Sequence, residues 1–101
     1  MSKMRLFIDT HDKAHGTFPE GLTEAQFQQF FVAFEAACAA ENVRIVTSCV
    51  GIAEGRAFCT TMAESADAVK RAHERVGLAF DSITEVRVAS PDTILALRDA
   101  A

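Results

Sequence analysis

Two hydrophobic periods alternate along this chain, and few folds accept the order in which they come. Arg5 to Thr10 alternates with period two, Leu6 and Ile8 on one side and Phe7 and Asp9 on the other, which is the pattern of a strand. From Thr23 the period becomes helical: Phe27, Phe30, Phe31, Phe34 and Cys38 make one apolar stripe. Thr23 and Gln26 have capping-box spacing, and Leu22 and Phe27 stand where a hydrophobic staple would close. Val43 to Ile52 and Arg56 to Met62 are β-rich runs around Gly51 to Gly55, which reads as a hairpin. Ser65 then caps a second helix with the stripe Ala66, Val69, His73 and Val76, and Gly77 suits its left-handed stop. Ile83 to Val88 returns to period two, and Ser90-Pro91 opens a short last helix through Arg98.

The order is strand, helix, strand, strand, helix, strand. That is the split βαβ pattern of ferredoxin-like α+β domains. Right-handed crossovers then predict a four-stranded antiparallel sheet in the order 4-1-3-2 with both helices on one face. Residues 1–101 read as one such domain, without linker or repeat. Half the residues are apolar, with eight Phe and neither Trp nor Tyr, so the chain has the means to build a core. A formal net charge of −4 and a pI near 5.2 argue against nucleic acid or an anionic membrane as partner. No window approaches about twenty apolar residues, so no membrane span is expected. Three cysteines, odd in number and without CxxC spacing, point to free thiols in a reducing cytoplasm.

This topology gathers distant residues at one rim. His11 and Asp12 close the first strand, His15 lies in the turn-rich stretch that follows, and His73 ends a helix climbing back to that level. Asp81 precedes the last strand at the same end. For the faces, the expectation is that the helices cover Leu6, Ile8, Val86 and Val88. Phe7, Asp9, His11, Ile83, Glu85 and Arg87 are then left on the open side, with Cys49 and Cys59 as possible neighbours there. An open sheet face bearing Phe7 and Ile83 is an unusual solvent surface, and a second copy packed sheet to sheet is the economical cover.

His, Asp and Cys are the side chains that ligate transition metals, and imidazole with carboxylate suits Ni, Zn, Cu or Fe. The convergence of three histidines makes His11, His73, His15 and Asp12 the candidate ligands. A bland reading stands beside it, in which His11 ends a strand and His73 is a core histidine bonded to a carbonyl. For catalysis, a histidine beside Asp9, Asp81 or Glu85 could act as a general base, but no nucleophile elbow, HExxH or GxGxxG names a reaction. Cys49 and Cys59 read as small buried residues rather than a redox pair, since a strand pair lacks the helix N-terminus that activates a thiol.

Two stretches, IDTHDKAHGTFPEGLT and EGRAFCTTMAESADAVKRAHERVGLAFDSITEV, resemble the small bacterial nickel-binding ferredoxin-like proteins. The resemblance rests on His11, Gly21-Leu22-Thr23, Ala57-Phe58-Cys59, Val69 to His73, Gly77-Leu78 and Ile83 to Val86, and covers about residues 5 to 88. Val76 departs from it, standing where that family's pattern has a second histidine. The resemblance implies a dimeric ferredoxin-like protein able to bind nickel or a similar divalent ion, with no established reaction. The alternative is a dimeric α+β barrel enzyme, of the cofactor-independent monooxygenase or isomerase kind, holding a small organic molecule between sheet and helices.

Overall fold

The computed structural model describes residues 3–92. β1 (Arg5–Asp12) leads into a single 3-10 turn at Lys13–His15 and then into α1 (Glu24–Ala40). β2 (Arg44–Gly51) and β3 (Arg56–Ala63) form the hairpin, followed by α2 (Ala66–Arg75) and β4 (Ser82–Glu85). The last helix expected through Arg98 lies outside the described residues, which end with a turn at Pro91 and Asp92. Among the described residues no helix is long and apolar enough to cross a membrane.

Local signals set the helix boundaries. At α1 the Gln26 amide donates to Thr23 Oγ1 at 3.1 Å, and the Thr23 amide donates to Gln26 Oε1 at 2.9 Å. At α2 the Ala68 amide donates to Ser65 Oγ at 3.3 Å. Both bonds satisfy amides that a helix start leaves orphaned. Arg71 and Arg75 of α2 both reach Glu41 beyond the end of α1, at 2.9 and 2.5 Å, which sets the two helices side by side.

The strands hydrogen-bond in the order β2-β3-β1-β4, which read from the other edge is 4-1-3-2. All three pairings are antiparallel. A register shift between Ile45 and Thr47 breaks the β2 ladder at Val46, a bulge of the kind that discourages edge pairing. β4 is shorter than expected; one more contact, from the Val86 amide to the Leu6 carbonyl at 2.9 Å, follows it.

The faces are the reverse of the sequence expectation. Phe7, Asp9 and His11 lie under the helices and are buried, while Leu6 and Ile8 stand half-buried on the open side. Phe7 packs with Phe34, Cys38, Val43, Ala63, Val69 and Ala72 in one core, and burying one such phenyl stabilises the fold by about 1.5–3 kcal/mol. The expectation gave the helices the strand face without ionisable residues. It fails because Asp9 and His11 satisfy each other, which removes most of the penalty for burying them. Register also separates the hairpin cysteines: Cys59 pairs with Ser48 and Cys49 with Phe58, so they occupy opposite faces.

The hairpin is tied to the loop after β1. Gly55 adopts a φ of 71°, and a Cβ there would collide with the Lys13 side chain. The Lys13 amide donates to the Gly55 carbonyl at 2.8 Å. This close approach requires glycine and holds the end of β1 at the upper rim.

Candidate metal centre

Strand alternation puts Asp9 and His11 on the same face of β1, two residues apart. The last turn of α2 lowers His73 onto them. Asp9 Oδ2 lies 2.7 Å from His11 Nε2 and 3.0 Å from His73 Nε2. The two other ring nitrogens face backbone carbonyls: His11 Nδ1 donates to Ala79 O at 2.7 Å, and His73 Nδ1 to Val69 O at 2.8 Å. The imidazoles stack with centroids 5.5 Å apart and planes 20° from parallel. Phe34 and Phe80 close over the His73 ring edge-on, at 4.9 and 5.1 Å. Asp9 and His73 are 0% exposed and His11 is 4%.

A carbonyl oxygen only accepts, so each Nδ1 carries its hydrogen. Each short contact to Asp9 Oδ2 must also contain a proton, since two lone pairs would otherwise face each other. Burial alone would lower the His11 value. The Asp9 hydrogen bond and charge, helped by Cys59 and the Ala79 carbonyl, outweigh it and push His11 up to about 10. Burial likewise favours a neutral Asp9, but the hydrogen bonds and charges of the two histidines hold its carboxyl below the ordinary value. Asp9 Oδ1 and Thr61 Oγ1, both buried on this face, have no hydrogen-bond partner among the described residues. A carboxylate oxygen without a donor, beside two imidazoles, is a centre with acceptor capacity to spare.

Among the described residues, Asp9, His11 and His73 are the group whose ligand atoms converge, each within 4.8 Å of the others. The other sequence candidates have different partners. Asp12 caps the turn by accepting from the Ala14 amide at 2.9 Å and pairs with Arg56 at 3.3 Å. His15 is exposed and meets Asp81 at 3.1 Å, where that hydrogen bond and charge raise it. Cys59 lies on the buried face, receiving a bond from the Ser48 hydroxyl at 3.3 Å. Burial, followed by the Asp9 charge, pushes the Cys38 thiol up to about 12, so it stays protonated and is a poor ligand. Asp9, which completes the converging group, is the residue that the ligand set read from sequence missed. Its spacing of two from His11 on a strand was the available signal, since such spacing places both side chains on one face.

Beside the triad, between α1 and the sheet, lies a cavity of about 360 Å³. His11 and Cys59 form part of its inner wall, and phenyl rings of α1 form its outer wall.

A family model described as SCO4226-like nickel responsive protein matches residues 7–86. Among solved structures, the chain is similar to the crystal structure of SCO4226 from Streptomyces coelicolor A3(2), at 34% identity and a TM-score of 0.71. The match covers 84% of this chain and 99% of that one. No curated protein matches.

Proposed function

We propose that this chain, which belongs to the SCO4226-like nickel responsive protein family, binds a divalent transition metal, nickel in the first place, through Asp9, His11 and His73. The observation that carries this reading is the pair of carbonyls behind the imidazoles. They hold both rings as Nδ1–H, which leaves Nε2 as the donor atom of each and aims both at one carboxylate oxygen. Metal-bound histidines are oriented by the same kind of outer contact. The donor set of two imidazoles and a carboxylate suits nickel and its neighbours, and the unpartnered Asp9 Oδ1 adds acceptor capacity at the same point. Bound there, a divalent ion supplies concentrated positive charge in place of the protons that Asp9 now shares with the two rings. His15 and Asp12 have no ligand role in this reading.

The test is isothermal titration of chelator-stripped protein with nickel. Wild type should bind one ion per chain, His11→Ala and His73→Ala should lose most of the affinity, and His15→Ala should keep it. Unchanged binding in both His11→Ala and His73→Ala would overturn the assignment.

A second copy covering the open sheet face is the proposed partner. Leu6, Ile8 and Met62 stand half-buried on that face, and Phe58 is 43% exposed beside them. An apolar surface of this kind marks an interaction site, and a two-fold pairing makes one patch serve both copies. Size exclusion at micromolar concentration should return a dimer; a monomer would refute the pairing.

A further inference from the structure

We propose that the cavity between α1 and the sheet binds an uncharged planar aromatic molecule of about two rings carrying one hydrogen-bond-accepting group. Protein interiors are packed nearly as densely as organic crystals and leave few voids larger than a water. The space of about 360 Å³ between the phenyl rings of α1 and the sheet falls within the range of small-molecule sites. A cavity of about 150 Å³ accommodates a single benzene ring, so this one has room for two fused rings. Phe18, Phe27, Phe30, Phe31 and Phe34 supply aromatic faces and edges, and rings prefer offset or edge-to-face contact with other rings.

On the strand wall the polar groups are His11, Ser48 and Cys59, with Thr17, Glu20 and Gln26 bordering the space from the loop and α1. Ser48 Oγ donates to Cys59 Sγ at 3.3 Å, which leaves the Cys59 S–H as a donor on that wall. His11 also borders the space, but both of its nitrogens are already engaged, with Asp9 and Ala79. It therefore offers the ligand ring surface rather than a hydrogen bond. Charge on the ligand is disfavoured in either sign. The carboxylate lining the cavity, Glu20, is exposed and gives an ammonium no buried partner. No lysine or arginine lines the space to receive a carboxylate, and the charge of His11 is already paired with Asp9; an unpaired buried charge is costly. A ketone, ester carbonyl or similar acceptor fits this wall.

The proposal does not depend on the metal reading, because its test uses chelator-stripped protein. Four naphthalenes of equal bulk are titrated and followed by fluorescence: 2-acetonaphthone, 2-ethylnaphthalene, 2-naphthoate and 2-naphthylmethylammonium. The ketone should bind best, with 2-ethylnaphthalene about fivefold weaker for want of the hydrogen bond and both ions weaker still. Leu22→Trp and Phe31→Trp, each adding bulk at the cavity wall, should abolish binding while keeping the far-UV circular dichroism of wild type. Cys59→Ala, which deletes the donor, should bring the ketone down to the affinity of 2-ethylnaphthalene. Ketone binding that survives both tryptophan variants would place the ligand elsewhere. Equal affinity for ketone and hydrocarbon in wild type would remove the polar wall from the argument, and no binding of any probe at its solubility limit would overturn the proposal entirely.

Discussion

Asp9→Asn keeps the shape of the side chain at the centre of the triad and removes its charge. Asp9 Oδ2 accepts from two imidazoles, so the variant leaves both N–H groups against a neutral amide inside the core. Removing one partner of a buried ion pair costs roughly 3–5 kcal/mol. His11 leads to the same scale by another route. Its value rises from 6.5 to about 10, which at about 1.36 kcal/mol per unit is on the order of 3–5 kcal/mol. For a domain of this size that corresponds to a fall in Tm of roughly 10–25 °C. The folded-state value of His11 is raised, so its contribution is complete below about pH 6.5 and is lost as pH climbs through about 10. The deficit of Asp9→Asn should therefore be largest near pH 6 and should shrink toward pH 10. Asp9 itself is lowered, so its contribution stands above the ordinary carboxyl value and is lost as pH falls through the depressed one. Urea denaturation of chelator-stripped protein, followed by circular dichroism at pH 6, 8 and 10, measures the difference. A variant within about 1 kcal/mol of wild type at pH 6, or a deficit that grows with pH, would refute the argument.

Metal binding near pH 6 should release the proton that His11 Nε2 shares with Asp9 Oδ2. The calorimetric enthalpy should then vary with the ionisation enthalpy of the buffer; release near zero would mean that the His11–Asp9 contact is not the one displaced. Ile8→Glu places a charge on the open sheet face and should turn the proposed dimer into a folded monomer on size exclusion. Phe7→Glu buries a charge in the core and should lose the cooperative thermal transition instead. Thr23→Ala removes the cap that receives the Gln26 amide and should cost about 1 kcal/mol in urea unfolding, with no change in metal affinity.

The order of elements was legible because its signals are local. Thr23 with Gln26, Ser65 before α2 and the alternation of β1 each act within a few residues, and the caps form the hydrogen bonds their spacing predicts. The orientation of β1 was not legible. Leu6 and Ile8 look like the inward residues when the strand is read alone, and Phe7 competes with them. What decides the matter is His73, whose bond to Asp9 spans 64 residues of sequence. A carboxylate next to a histidine suggests an exposed face until a second histidine descends from a helix to share it. The same long-range contact explains how the candidate site divided. His11 and His73 are joined, whereas Asp12 and His15 pair elsewhere, with Arg56 across the β1–β3 ladder and with Asp81 ahead of β4.

The enclosure of Asp9 and His73 by phenyl rings and sheet also has a consequence in time. Solvent reaches these two side chains only when α2 lifts from the strands or the rings part. Any traffic at this centre, of protons or of ions, is thus paced by how often the packing opens rather than by how often a solute arrives. The slow step belongs to the domain. Residence at the centre becomes a property of the core, so substitutions such as Val69→Ala or Phe34→Leu, far smaller in their chemistry than the loss of a ligand, would alter how long an occupant stays while leaving unchanged the groups that touch it.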